Sequence, residues 1–266
     1  MIKKNVSLIV LIILTVLFLS DPVHGKEDPK NSAPDKKKDK TVSEKKENRL
    51  SGWVGYNWYE MNDFNAKLSR ENNKTIDGGF NAGVEFTLSE VTTSLSSIPG
   101  IGKIIVKLPP DLAIGIEYLE AGSKTSHGGP SGDTTVNWEL PVVGTYASLE
   151  WPEIKLFGES DWRCKWRPIG IGYYKLGDIL DAQLTVSDCP GHLKVSDDSI
   201  GITSQIGIKY LRNNFEAFVE GGYRYLRFTD VLREPEGGFS PNSASIMPET
   251  LDYSGFIIKA GICIKF

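Results

Sequence analysis

Cysteine, histidine and methionine are scarce in this chain, with three of each in 266 residues. The cysteines, Cys164, Cys189 and Cys263, are odd in number and far apart, and no C-x-x-C spacing occurs. This excludes a disulfide framework and leaves no thiolate metal or redox motif. In the topology below, Cys164 and Cys189 fall at opposite ends, so the thiols are expected to be free. After the first 25 residues no apolar run is long enough for a spanning helix, which excludes a helical membrane protein. A basic stripe is also missing. The formal net charge is −4, and residues 51–266 are more acidic than the whole, so nucleic acid is not an expected partner.

What is present begins with Lys3 and Lys4, an apolar run over 6–19, and Val23-His24-Gly25. A basic start, a short apolar region and small residues at −3 and −1 describe a cleaved secretory signal peptide over 1–25. Residues 26–50 are a charged linker whose only branched aliphatic before Leu50 is Val42. Such a stretch cannot bury enough surface to offset its ordering entropy, so disorder is expected. It is either a solvated spacer or a tether to peptidoglycan or anionic head groups. The rest, 51–266, is the expected folded domain.

That domain shows period-two alternation throughout. Its last stretch sets Phe256, Ile258, Ala260, Ile262 and Ile264 on one face, with Gly255, Lys259, Gly261, Cys263 and Lys265 on the other. The same pattern predicts strands over 53–59, 79–88, 112–120, 134–149, 168–176, 200–210 and 215–228, with the eighth at 251–266. Each approaches the roughly 10 residues a tilted strand needs to cross a bilayer. Signal plus alternating strands points to a closed antiparallel transmembrane β-barrel, all-β, with apolar residues facing lipid and Gly and charge facing the lumen. On the fourth strand this assigns Val136, Trp138, Leu140, Val142 and Tyr146 to the outside, with an irregularity at Pro141.

Polar spacers over 60–78, 121–133, 177–199 and 229–250 follow the odd strands and are expected as extracellular loops, with the amino end periplasmic. The connections over 89–111 and 150–167 are too long for plain turns, which leaves an extra hairpin and a ten-stranded ring open. The alternative is a short interfacial piece with Trp151, Trp162 and Trp166 at the girdle.

The runs PIGIGYY (168–174), FVEGGYRY (218–225) and DYSGF…F (252–266) resemble the small outer-membrane β-barrel superfamily that includes the OmpA and OmpW barrels. The resemblance implies residence in the outer membrane among its lipid and lipopolysaccharide, as a monomer. It also implies insertion by the outer-membrane assembly machinery, which reads a terminal aromatic strand, here Phe266 with Ile264 and Ile262. It carries no ligand, cofactor or catalytic residue across.

The alternation places Glu85, Glu117, Glu139, Glu216 and Glu220 in the lumen with Lys209, Arg224, Lys259 and Lys265. An eight-stranded lumen is only wide enough for side chains to fill it, so these charges form a structural ion-pair plug rather than a gated conduit. His127 and His192 stand beside glycines in expected loops and have no third ligand, and Ser126-His127 is only a neighbour pair. The expected role is therefore non-enzymatic: structural, or surface interaction through the outer loops. Transport of small apolar molecules, as OmpW-like barrels imply, is the alternative. An envelope lipid-modifying enzyme would need a catalytic group that the sequence does not assemble.

Overall fold

Period-two alternation runs well past the predicted strand ends. The computed structural model describes residues 48–266, except 71, 90–91, 99–101, 108–110, 130–131, 152, 157–160, 188, 190 and 240–248. The expected signal peptide, and the expected linker up to residue 47, lie outside the described residues. The strands are β1 Arg49–Tyr59, β2 Gly78–Ser89, β3 Thr92–Ile98, β4 Gly102–Lys107, β5 Asp111–Gly129, β6 Gly132–Glu150 and β7 Ile154–Lys155. They continue as β8 Trp162–Leu176, β9 Ala182–Val186, β10 His192–Arg212, β11 Phe215–Phe228, β12 Leu232–Glu236, β13 Leu251–Asp252 and β14 Gly255–Lys265. One helix, α1 Asn62–Arg70, follows β1.

Eight strands close a ring in the order β1-β2-β5-β6-β8-β10-β11-β14, with β14 pairing back onto β1 and every neighbour antiparallel. The extra hairpin exists as β3 and β4, but it pairs only with itself, so the ring has eight strands and not ten. β1 begins at Arg49, inside the expected linker, and opposes Lys265. A two-residue turn whose first residue, Asn213, takes φ 54 joins β10 to β11, a left-handed conformation that asparagine tolerates.

The outer face carries an apolar belt: Ile200, Ile202, Ile206 and Ile208 on β10, Ile169 and Ile171 on β8, and Phe256, Ile258, Ile262 and Ile264 on β14, all exposed. From Ile200 to Ile208 the chain rises about 26 Å at roughly 3.3 Å per residue. At a tilt near ~40° that is about 20 Å along the axis, close to the apolar band of a membrane barrel. A closed ring leaves no unpaired edge in lipid. The protein is a transmembrane β-barrel of the outer-membrane type.

Away from the chain termini the wall continues beyond this belt as a sheet in the order β5-β6-β9-β10-β12. Here the exterior meets water and the polarity returns to that of a soluble sheet. Trp138, Leu140 and Val142 face inward and are buried, Val136 packs on the same cluster, and Tyr146 also points inside. The outward assignment of these five residues is corrected. On the lipid face β6 offers only Val143, Thr145, Ala147 and Leu149, so the stronger interior apolar run dominated its pattern. The expected loops over 121–133 and 177–199 are largely wall, as the far parts of β5, β6 and β10 with β9, and the one over 229–250 contributes the five residues of β12. Pro141 pairs regularly with Glu120 and sits where β6 passes from β8 to β9, so its missing N–H breaks no ladder.

Candidate functional site

The lumen holds two tiers. Near the chain termini most inward positions are charged or small, and the buried rings of Trp53 and Phe218 lie under the Lys259 and Lys165 ammonium groups. Arg49 on β1 reaches across to Asp111 at 2.5 Å, Glu150 at 3.1 Å and Glu153 at 3.3 Å, with Glu216 at 3.7 Å. Arg167 on β8 grips Glu85 of β2 with both terminal nitrogens and Glu150 of β6 at 3.1 Å. Tyr146 donates a further hydrogen bond to Glu85 at 2.7 Å. Glu220 receives Lys165 at 2.6 Å and Lys259 at 3.2 Å, while Glu216 receives Lys209 at 3.0 Å and Lys265 at 2.9 Å. Lys209 also pairs with Glu153, which enters from the β6–β8 connection. Among the described residues, seven cations (Arg49, Lys165, Arg167, Lys209, Arg224, Lys259, Lys265) meet seven carboxylates (Glu85, Asp111, Glu117, Glu150, Glu153, Glu216, Glu220). The tier is thus neutral as a whole, and desolvated charges are tolerable there because each has an opposite neighbour.

The boundary between tiers is a single cross-lumen pair. Arg224 of β11 bonds Glu117 of β5 at 2.6 Å, and Tyr174 donates its hydroxyl to the same carboxylate at 2.5 Å. The Tyr174 ring lies over Gly144, Gly172 and Gly201; a Cβ on Gly144 would stand 2.2 Å from the ring. Those glycines make room for the ring, which explains their place on the lumen face.

Beyond Tyr174 the lumen is largely apolar, and its few buried polar side chains, such as Asn81 on Asn57 and Ser123 on the Lys74 carbonyl, are hydrogen-bonded. Leu119, Trp138, Leu140, Leu176, Val195 and Phe228 enclose it, and α1 lowers Phe64 and Leu68, one turn apart, into it. Phe64 meets Trp138 edge-on at 5.0 Å. Asn65 clamps the helix: its amide donates to the Ile76 carbonyl at 3.0 Å, and the Ile76 N–H returns a bond to its side-chain oxygen at 2.8 Å. Asn72, at φ 57, ends the helix in the left-handed conformation usual there.

Of the lumen charges expected from sequence, Glu85, Glu117, Lys209, Glu216, Glu220, Arg224 and Lys259 are buried inside, and Lys265 lies at the rim. Glu139 is a correction. It lies outside the wall, exposed, and accepts the Asn137 amide at 2.8 Å, because the phase of β6 is the reverse of the one expected. Arg224 pairs across the lumen and not with acids on neighbouring strands. Phe266, Ile264 and Ile262 face outward at the terminal rim, where Phe266 stacks near Phe86 at 6.0 Å.

Sequence reasoning missed Arg49, Asp111, Glu150, Glu153, Lys165 and Arg167. The alternation of Trp162, Cys164 and Trp166 with Arg163, Lys165 and Arg167 was legible. A β-bulge beside Pro168 shifts the phase of β8 against Thr203 and Gln205, so the basic run looked like a connection. The cysteines are free. His192 lies 3.2 Å from Glu236, and the Ser126 hydroxyl meets Thr135, also at 3.2 Å. The side chain of His127 lies outside the described residues. Among the described residues no group of three His, Cys, Asp or Glu side chains is placed to hold a metal.

No family model matches the chain, and neither does any curated protein. Among solved structures it is similar to a major outer membrane protein from Thermus thermophilus, at 12% identity over 82% of this chain and 99% of that one, TM-score 0.43. It is also similar to Ail, the attachment invasion locus protein of Yersinia pestis, solved with the heparin analogue sucrose octasulfate (11% identity, 83% and 100% covered, TM-score 0.32). A third likeness is to the transport unit of the autotransporter AIDA-I from Escherichia coli (9% identity, 85% and 92% covered, TM-score 0.24). Likenesses of this size carry no argument about this chain. Its own closed ring, apolar belt and charge-filled lumen place it in the cell outer membrane.

Proposed function

We propose that the protein is a non-enzymatic outer-membrane barrel, a rigid scaffold that holds a surface-interaction platform outside the cell. The observation that carries this reading is a lumen closed twice in series, by a neutral ion-pair tier and by an apolar tier under α1. In this reading the terminal end is periplasmic. The belt meets outer-membrane lipid and lipopolysaccharide, the barrel is a monomer, and the assembly machinery reads Phe266, Ile264 and Ile262. The linker is free to reach peptidoglycan. The wall beyond the belt is then the surface presented to partners, on a scaffold stiff enough to orient it. Reconstituted in planar bilayers, the protein should show no steady conductance, since an eight-stranded lumen is filled. A stable ohmic pore in the parent would overturn the reading.

The apolar tier gives specific support to a second reading, passage of small apolar molecules through the outer half of the lumen. α1 would be the movable part, and Asn65 its latch. Asn65→Leu should then speed entry of an apolar dye into proteoliposomes, and equal rates for variant and parent would remove this alternative. The envelope lipid-modifying enzyme finds no support among the described residues.

A further inference from the structure

Just beyond the lipid belt the outer wall carries large apolar side chains that lipid does not explain. β8 breaks off at Leu176 and β9 resumes the same course at Ala182, both paired to β10, at Asp197 and Val195. The five residues between them leave the wall. Gly177 turns the chain at φ 77, where a Cβ would stand 1.9 Å from the Val195 carbonyl oxygen, so only glycine fits. At the tip, Ile179 is 62% exposed and Leu180 44%. On the other side of β10, Leu232 of β12 opposes Ser196 and is 61% exposed. The excursion is rooted at Leu176 and Ala182 on one side of β10 and Leu232 stands on the other, so its roots lie two strand spacings, about 10 Å, from Leu232 across the sheet.

A charged row separates this group from the belt. Tyr173, Ile200 and Tyr225 end the apolar surface, and Lys175, Asp198 and Arg227 face outward next. Interfacial aromatics followed by charge mark the level of the bilayer surface, so Ile179, Leu180 and Leu232 lie above it. Their rim is net acidic. Asp178 and Asp181 flank Ile179 and Leu180 in the chain, Asp198 faces outward two residues from Ser196, Asp230 precedes Leu232 by two residues, and Glu234 opposes Lys194 beside it. Against these five acids stand Lys175, Lys194 and Arg227, and Lys175 is already paired with Asp178 at 2.6 Å. The Asp198 carboxylate accepts a neutral Tyr173 hydroxyl at 2.9 Å and keeps its charge toward solvent. An exposed apolar group with a polar rim marks an interaction site. An acidic rim is repelled by lipid phosphates and by a second copy of the same rim, and it attracts cations.

We propose that Ile179, Leu180 and Leu232, with Asp181, Asp198 and Asp230, form a docking patch for a cationic protein segment in which lysine or arginine alternates with aliphatic side chains. The inference rests on the surface-platform reading and gives it a location and a partner chemistry. The test uses the full mature chain in phosphatidylcholine nanodiscs, with three labelled synthetic peptides: alternating Lys/Leu, alternating Glu/Leu and alternating Lys/Ser. Only the Lys/Leu peptide should bind above empty discs. Ile179→Ser with Leu180→Ser and Leu232→Ser should weaken it at least tenfold. Asp181→Asn with Asp230→Asn should weaken it several-fold and flatten its salt dependence. These residues are exposed, and an unchanged heat-shifted band checks that the variants fold. Equal binding by parent, variants and empty discs would overturn the proposal. So would a nitroxide at Ile179→Cys, in a chain with its own three cysteines replaced by serine, that collides with oxygen more than with a water-soluble nickel complex. That result would put the patch in lipid. Failure of the platform reading itself would show separately, as conductance in planar bilayers.

Discussion

Replacing Arg167 with methionine tests the lumen most directly. Arg167 is buried and pairs with three carboxylates on three other strands, Glu85 through both terminal nitrogens, Glu150 at 3.1 Å and Glu220 at 3.9 Å, the last of which keeps Lys165 and Lys259. Methionine keeps much of the volume and removes the charge. Glu150 retains Arg49 at 3.1 Å and Lys165 at 3.3 Å, so it keeps compensation. Among the described residues, Glu85 retains only the neutral Tyr146 hydroxyl as a hydrogen-bond partner on another strand. The buried ammonium groups of Lys165 and Lys259 still act on the Glu85 charge from a distance, so the cost is that of one poorly compensated buried carboxylate, about 3 kcal/mol. Urea unfolding in lipid vesicles, followed by tryptophan emission and by the heat-shifted gel band, measures it. Adding Glu85→Leu removes the orphaned charge together with its partner. The double variant should recover most of the loss, because an apolar replacement of a whole buried pair is often neutral or better. Glu139→Ala is the control; an exposed carboxylate should change stability by no more than about 0.5 kcal/mol. Two results would refute the reasoning: an Arg167→Met protein as stable as the parent, or a double variant no better than the single one.

Leu140→Ala separates the two assignments of the fourth ring strand. A lumen-facing, fully buried leucine should cost about 2–5 kcal/mol in the same unfolding assay, and a cost under about 1 kcal/mol would return the side chain to the outside. Deleting Phe266 should lower the heat-shifted fraction in isolated outer membranes after equal expression, while Phe239→Ala, a buried aromatic of the far-end cluster, should reduce stability without the same loss of insertion. If the deletion variant accumulates and folds like the parent, the terminal strand is not the assembly signal.

Strand positions were legible because period-two alternation survives whichever face is apolar, and all eight ring strands contain a stretch predicted from sequence. Facing was legible only where the outside is lipid. Along β14, Phe256, Ile258, Ile262 and Ile264 face hydrocarbon while Lys259, Cys263 and Lys265 face the lumen, so one polarity rule holds along the strand with the buried Ile257 as its exception. β6 crosses two solvents. Its segment from Thr145 to Leu149 faces lipid with weakly apolar side chains, while Trp138 to Val142 turns strongly apolar side chains inward beneath a wet exterior. A single rule applied to the whole strand had to fail on one half, and Glu139 went to the wrong side with it.

The basic half of the ion-pair tier was hidden for a different reason. Lys165 and Arg167 keep the alternation, but the bulge beside Pro168 inserts a residue between them and Gly170, so the two segments of β8 show opposite phase in the sequence. Arg49 belonged by composition to a charged linker, and only its partners across the lumen make it part of the barrel. Charge balance carried a partial signal. The lumen residues expected from sequence were five acids against four bases, an excess that Glu139 alone produces. The missing cations Arg49, Lys165 and Arg167 are balanced by the missing acids Asp111, Glu150 and Glu153, so a total count could not reveal them. Position could. A low-dielectric lumen requires each buried carboxylate to have a cation. Glu85 was the position that demanded one, since no basic residue predicted for a neighbouring strand could reach it; β8, on the far side of β5 and β6, supplies it across the lumen.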